Sequence, residues 1–313
     1  MILGKSFLNG VENARLYLGS ILVYSGINTD FIMSVKTDNS GTSNSNQFTI
    51  PTIAGNLYNV TTSDGQTLSN NTDDLTITFP SAGTYDVNIS GDFRQIFFSG
   101  GGDKDKLLEI KNWGNIAWTS MDKAFFNCTN FSNISATDAP DLSGVTNMGL
   151  MFFFAPFTAD ISSWDVSNVE NFNSAFRLCS NFNSDLSSWD VSSATDMQLM
   201  FQGATSFNGN ISTWDVSSTL NLKETLNGAT SFDRNLSNWD VNQVTDLGNF
   251  LTSATLSTAN YDATLIGWAN QIPLAYNGTL NFGSSTYTLG GAAATARAAL
   301  VSDVGAISDG GGV

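Results

Sequence analysis

The triplet Trp164-Asp165-Val166 returns as Trp189-Asp190-Val191, Trp214-Asp215-Val216 and Trp239-Asp240-Val241, each 25 residues after the last. Phe157, Phe182, Phe207 and Phe232 form a second column at the same interval. A looser third column runs through Met148…Met151-Phe152, Phe172…Ala175-Phe176, Met197…Met200-Phe201, Leu222…Leu226 and Leu247…Leu251. Self-similarity at a fixed period of this size is the mark of stacked units, none of which can bury its apolar face alone. The expectation is therefore a solenoid over residues 101–256.

Within one unit, Met197 to Ala204 places apolar residues at i, i+3, i+4 and i+7, which predicts one face of a short helix. Asn208 to Ser217 alternates and is expected to supply a ladder strand and its turn. Two irregularities stand out near the start of the array. Pro140 occupies the place of a tryptophan, and Ala155-Pro156-Phe157 is one residue shorter than Ala204-Thr205-Ser206-Phe207. Cys128 and Cys179 occupy equivalent positions two units apart, which at ~4.8 Å per stacked strand puts them ~10 Å apart, beyond disulfide reach. Both read as small buried fillers.

The flanks read differently. Residues 1–28 form a small module in which Leu16-Tyr17-Leu18 and Val23-Tyr24 belong to two short strands around Gly19-Ser20. Residues 29–100 carry alternating runs, Phe31–Val35, Gln47–Ile50, Tyr58–Thr61, Leu75–Phe79 and Tyr85–Ile89, that predict a β-sandwich. Residues 257–313 are expected to close the array, with helices over Ala259–Ala269 and Ala292–Val301 and strands over Thr279–Phe282 and Thr286–Leu289.

Composition narrows the function classes. Only 13% of the 313 residues are charged, and 12 basic against 28 acidic residues leave a net charge of −16. Such a field disfavours nucleic acid and anionic membrane surfaces as partners. There is no histidine, which removes the commonest general base and metal ligand together. No run of ~18 apolar residues suits membrane insertion, and the first residues lack the apolar core of a secretory signal. The expectation is a chain that reaches the outside by another route, cell lysis by a phage being one.

Several stretches resemble known families. The unit Asp196–Ser217, with Met197…Met200-Phe201…Phe207-Asn208…Trp214-Asp215-Val216-Ser217, is similar to the repeats of BspA-like leucine-rich-repeat surface proteins. The Asn260-Tyr261-Asp262…Trp268-Ala269 segment resembles their C-terminal region. Ser63-Asp64-Gly65 and Gly83-Thr84-Tyr85 resemble turn and strand features of PKD-like domains. The Leu16-Tyr17-Leu18-Gly19-Ser20…Val23-Tyr24 segment resembles one seen in phage virion proteins. Together these imply a mixed, β-rich fold: an N-terminal β module, an immunoglobulin/PKD-like β-sandwich, a leucine-rich-repeat-like solenoid and an α+β C-terminal cap. They imply adhesion or protein binding and no enzyme activity.

Three sets of candidate site residues follow. Trp164, Trp189, Trp214 and Trp239 form either a strip for sugar rings or a buried stack with each N–H bonded to a turn. Asp165, Asp190, Asp215 and Asp240 repeat like charges every ~5 Å, a repulsion of about 1 kcal/mol per neighbour even in water. Either backbone N–H groups at each turn compensate them, or Ca²⁺ does, helped by Asp160, Asp185, Asn210 and Asn235. Leu16, Tyr17, Leu18, Val23 and Tyr24 are expected to attach the chain to virion proteins. The reading is a phage virion fibre or decoration protein that offers its array to a host surface protein or glycan, with no resident cofactor. A bacterial cell-surface adhesin of the BspA-like type is the alternative. Homo-oligomerisation stays open.

Overall fold

Alternation of apolar and polar residues produces the strands of the N-terminal half. In the computed structural model, which describes residues 29–313 and the strands Leu16–Leu18 and Ile21–Tyr24, six strands share one sheet. The two early strands, β1 (Leu16–Leu18) and β2 (Ile21–Tyr24), pair antiparallel as the Gly19-Ser20 turn predicts. The side chains proposed for attachment lie outside the described residues.

The main sheet contains β3 (Phe31–Lys36), β5 (Leu57–Thr62), β6 (Thr67–Asn71), β8 (Thr84–Asp92), β9 (Leu107–Asn112) and β10 (Asn133–Ile134), in the order β10-β9-β3-β8-β5-β6. A separate pair, β4 (Gln47–Ile50) with β7 (Leu75–Thr78), forms a two-stranded sheet. Phe48, Ile50 and Ile77 from this pair are buried, as are Met33, Val35, Val87 and Ile89 from the main sheet. The sheet does not stop at residue 100. β9, read as the start of the array, pairs antiparallel with β3, and β10 adds to β9 in parallel.

One buried ion pair ties the 38–47 loop to the turn before β9. Asp103 and Lys106 are fully buried, with Oδ1 and Nζ 3.7 Å apart. The Lys106 ammonium donates to Ser43 O, Ser43 Oγ, Asn44 O and Gln47 O at 2.7–3.1 Å. Asp103 accepts from Thr42 N, Ser43 N, Ser43 Oγ and Thr49 N. Burial pushes the Asp103 carboxyl up, but Ser43, Thr49 and the Lys106 charge together hold it below its usual value. Gly41 is required here, because a Cβ would lie 2.4 Å from Asp103 Oδ1.

The repeat region corrects the expected fold. No leucine-rich-repeat-like solenoid with a helix and a strand per unit is present: residues 135–257 contain turns and single bridges, and the sheets of the molecule are small and open. The segment expected to be helical cannot be one, because two residues in each unit sit in the left-handed region. Lys123, Leu150, Ser174, Leu199, Glu224 and Asn249 form one such series. Asn127, Phe154, Leu178, Gly203, Gly228 and Ser253 form the other. An α-helix admits no such residue in its interior.

The hydrogen bonding alternates instead. Met197, Leu199, Phe201 and Gly203 donate their N–H groups to Asn221, Lys223, Thr225 and Asn227 of the next unit. Met200, Gln202 and Ala204 close local turns back to Met197, Leu199 and Phe201. The same four forward bonds recur from 148–154, from 172–178 and from 222–228. Asn147, Asn171, Asp196, Asn221 and Asp246 form parallel single-residue bridges alongside. The segment expected to be a strand is broken by turns at Asn210 and Asp215, whose side chains accept Ser212 N and Ser217 N. Bonding between units thus lies where a helix was expected, and turns lie where a strand was expected.

Apolar columns hold the units in register. Phe125, Phe152, Phe176 and Phe201 follow one another at centroid spacings of 5.5–5.6 Å. Phe157, Phe182, Phe207 and Phe232 do so at 5.2–6.0 Å. Such pairs contribute about 0.5–1.5 kcal/mol each beyond their burial. Because Pro140 replaces a tryptophan, Trp113 reaches past that unit to Trp164, edge to face at 5.3 Å. Cys128 and Cys179 are buried free thiols.

After the last unit come α1 (Thr258–Ala269), β11 (Gly278–Asn281), β12 (Thr286–Tyr287), α2 (Ala292–Val304), β13 (Gly305–Ser308) and β14 (Gly311–Gly312). β11 pairs in parallel with β13, and β12 with β14. Trp268 of α1 donates its indole N–H to Leu236 O, continuing the tryptophan pattern into the helix.

Lys106→Met leaves Asp103 buried without its cation and should cost about 3–5 kcal/mol. Urea unfolding checks this, and a loss below about 1 kcal/mol would show that the pair does not anchor the loop.

Candidate functional site: a notch in the repeat region

Three asparagine or aspartate turns shape each unit. Asp160, Asp185, Asn210 and Asn235 accept the N–H two residues on. Asp165, Asp190, Asp215 and Asp240 do the same. So do Asn171, Asp196, Asn221 and Asp246. This is the local bond that these side chains offer in preference to a ladder.

The aspartate column expected to bind Ca²⁺ is therefore distributed over separate turns. Each carboxylate of Asp165, Asp190, Asp215 and Asp240 is exposed and engaged with its own turn. Among the described residues, no group of three or more acidic or cysteine side chains is close enough to share a metal ion. The serine hydroxyls and N–H groups at 192 and 217 hold the Asp190 and Asp215 carboxyls below their usual value.

The tryptophan column does not form a surface strip. Trp164, Trp189, Trp214 and Trp239 are at most 4% exposed. Trp189, Trp214 and Trp239 donate their indole N–H to Ile161 O, Leu186 O and Ile211 O of the preceding unit at 2.9–3.0 Å. A ring held this way bridges units and offers no face to a ligand.

The singular feature lies where the array loses one residue. Two depressions lie there, one along residues 154–156 and 178–180 with Thr129, the other along residues 158–160 and 181–185. One, of about 180 Å³, is lined by Thr129, Phe154, Pro156, Leu178 and Ser180. The other, of about 460 Å³, is lined by residues that include Asp160, Asn181, Asn183 and Asp185. Asn181 Nδ2 donates to Pro156 O, and Ser184 Oγ to Asp160 Oδ1, across the junction. The backbone N–H of Ser162 holds Asp160 below its usual value, and that of Ser187 does so for Asp185.

Phe154 and Leu178 are 48% and 36% exposed. Both have φ near 59°. For such side chains the left-handed conformation costs roughly 1–2 kcal/mol, and later units place Gly203 and Gly228 at the same position. Behind them, Phe126 and Phe153 meet at 4.9 Å, and the Arg177 guanidinium lies 5.3 Å over Phe153. Sequence reasoning saw the one-residue slip at Pro156 but not the notch, because the left-handed positions carry no period of their own in residue type.

Residues 119–219 and 187–271 match the model of a family described as "Mycoplasma protein of unknown function, DUF285". The two matches overlap within the repeat region. No curated protein and no solved structure matches the chain.

Asp215→Ala removes a turn acceptor and should cost about 1 kcal/mol, whereas Asp215→Asn, the residue type found at 210 and 235, should stay within about 0.5 kcal/mol at pH 7. The depressed carboxyls at 160, 185, 190 and 215 contribute stability above their ordinary value of 3.8 and lose it as pH falls through their lower folded values. A melting series between pH 7 and pH 2.5 should therefore decline mainly below about pH 4.

Proposed function

We propose that this chain is a non-enzymatic adhesion protein that displays its repeat region at a surface. The observation that carries the reading is the notch: two apolar side chains, Phe154 and Leu178, exposed on left-handed backbone and lining one depression. Exposed apolar clusters with polar rims are the usual chemistry of a contact site. The acidic residues of the repeats serve as turn acceptors, which supports a structural rather than a catalytic role for them.

On the first reading the surface is a virion, with β1 and β2 as the attachment end. This rests on the likeness of that segment to phage virion proteins. The family match, described as a Mycoplasma protein, favours a second reading in which the surface is that of a cell. On either reading the partner is a host surface protein or glycan, consistent with the likeness of the repeats to BspA-like proteins.

Immunogold labelling with mass spectrometry of purified particles and envelope fractions from the source tests the proposal. Labelling of virions or of the cell exterior is expected, and confinement to the cytosolic fraction overturns it.

A further inference from the structure

The structure points to a ligand class for the notch. The position occupied by Phe154 and Leu178 is left-handed in six successive units, where the other occupants are Asn127, Gly203, Gly228 and Ser253. Small or amide side chains suit that backbone, and glycine suits it best. Folding gains little from a half-exposed phenylalanine there. The conformation belongs to every unit, so what calls for an explanation is the bulky apolar residue at 154 and 178. The two adjacent units that carry it also line the depression beside Pro156.

We propose that this notch binds an uncharged pyranose, with the apolar face of the sugar on Phe154 and Leu178 and its hydroxyls toward the rim of Asn181, Asn183, Asp160 and Asp185. This rests on the adhesion reading and names its ligand. A sugar ring has one C–H face and a belt of hydroxyls; one depression offers Phe154, Pro156 and Leu178, and the second, tied to it by the Asn181 Nδ2 to Pro156 O hydrogen bond, offers amides and carboxylates. Pockets of this kind use a few polar groups to fix orientation over an apolar surface. The net charge of −16 and the two rim carboxylates disfavour sialylated and sulfated sugars.

The test applies the full chain to immobilised neutral oligosaccharides, sialylated and sulfated glycans, lysine-rich peptides and intact host cells. Wild type, Phe154→Gly, Leu178→Gly and Phe154→Tyr are compared. Retention on a neutral glycan is expected, reduced at least tenfold by either glycine variant and kept by Phe154→Tyr. Melting temperatures of the glycine variants should equal or exceed that of wild type, which separates lost binding from lost folding. Binding only to acidic glycans or peptides, or neutral-glycan binding that the glycine variants leave intact, overturns the inference. Wild type that coats cells but retains no neutral glycan does the same and leaves adhesion standing. Failure on every glycan, peptide and cell overturns both.

Discussion

Each repeat unit hands four backbone N–H groups to the unit that follows, from Met121 onward to Gly228. Every other peptide N–H in that segment turns back on its own unit instead. The arrangement needs a left-handed residue about every fourth position, and the phenylalanine and tryptophan columns supply the packing that holds those residues there. The first left-handed residue of each unit also accepts a local turn bond, as Leu199 does from Gln202, so inter-unit and local bonds share in holding these positions. Register and conformation are therefore coupled.

The low charge and the abundance of serine, asparagine and aspartate have their cause in the turns. Three short acceptors per unit close three corners, and each prefers the N–H two residues ahead. Asparagine and aspartate exchange freely at two of these corners, as at Asp185 and Asn210 or Asp196 and Asn221, because the shared requirement is an Oδ three bonds from Cα. The repulsion expected along the Asp165–Asp240 column is met by N–H groups at each turn.

Much of this was legible in residue patterns and some was not. Strands at Phe31–Lys36 and Gln47–Ile50 and helices over Thr258–Ala269 and Ala292–Val304 follow from alternation and composition. The repeat period announced bonding between successive units, but the solenoid expected from it is not found. What failed was the local reading of one unit, since apolar residues at i, i+3, i+4 and i+7 suit a helix and also suit tandem turns of four residues. Only a glycine at every left-handed position would have signalled the turns, and Leu199, Glu224 and Phe154 stand at three of them. β6 was missed because Leu68 is the single apolar residue in Thr67–Asn71, too little for an alternating pattern. The notch was half legible, in the shortened loop at Pro156.

Along the segments from Met121 to Gly228 the donation between units runs forward, whereas at the neighbouring corner Thr195, Leu220 and Thr245 donate back to Glu170, Thr195 and Leu220. Taken alone, the forward-bonded segments end in carbonyls at the first unit and amides at the last. The two ends are thus chemically opposite and need opposite partners. Phe98 and Ser99 meet the first with N–H groups on Ala124 O and Lys123 O. Asn281 meets the last with a carbonyl on Leu251 N. At this face the part of the chain before the repeats supplies donors, and the part after them supplies an acceptor.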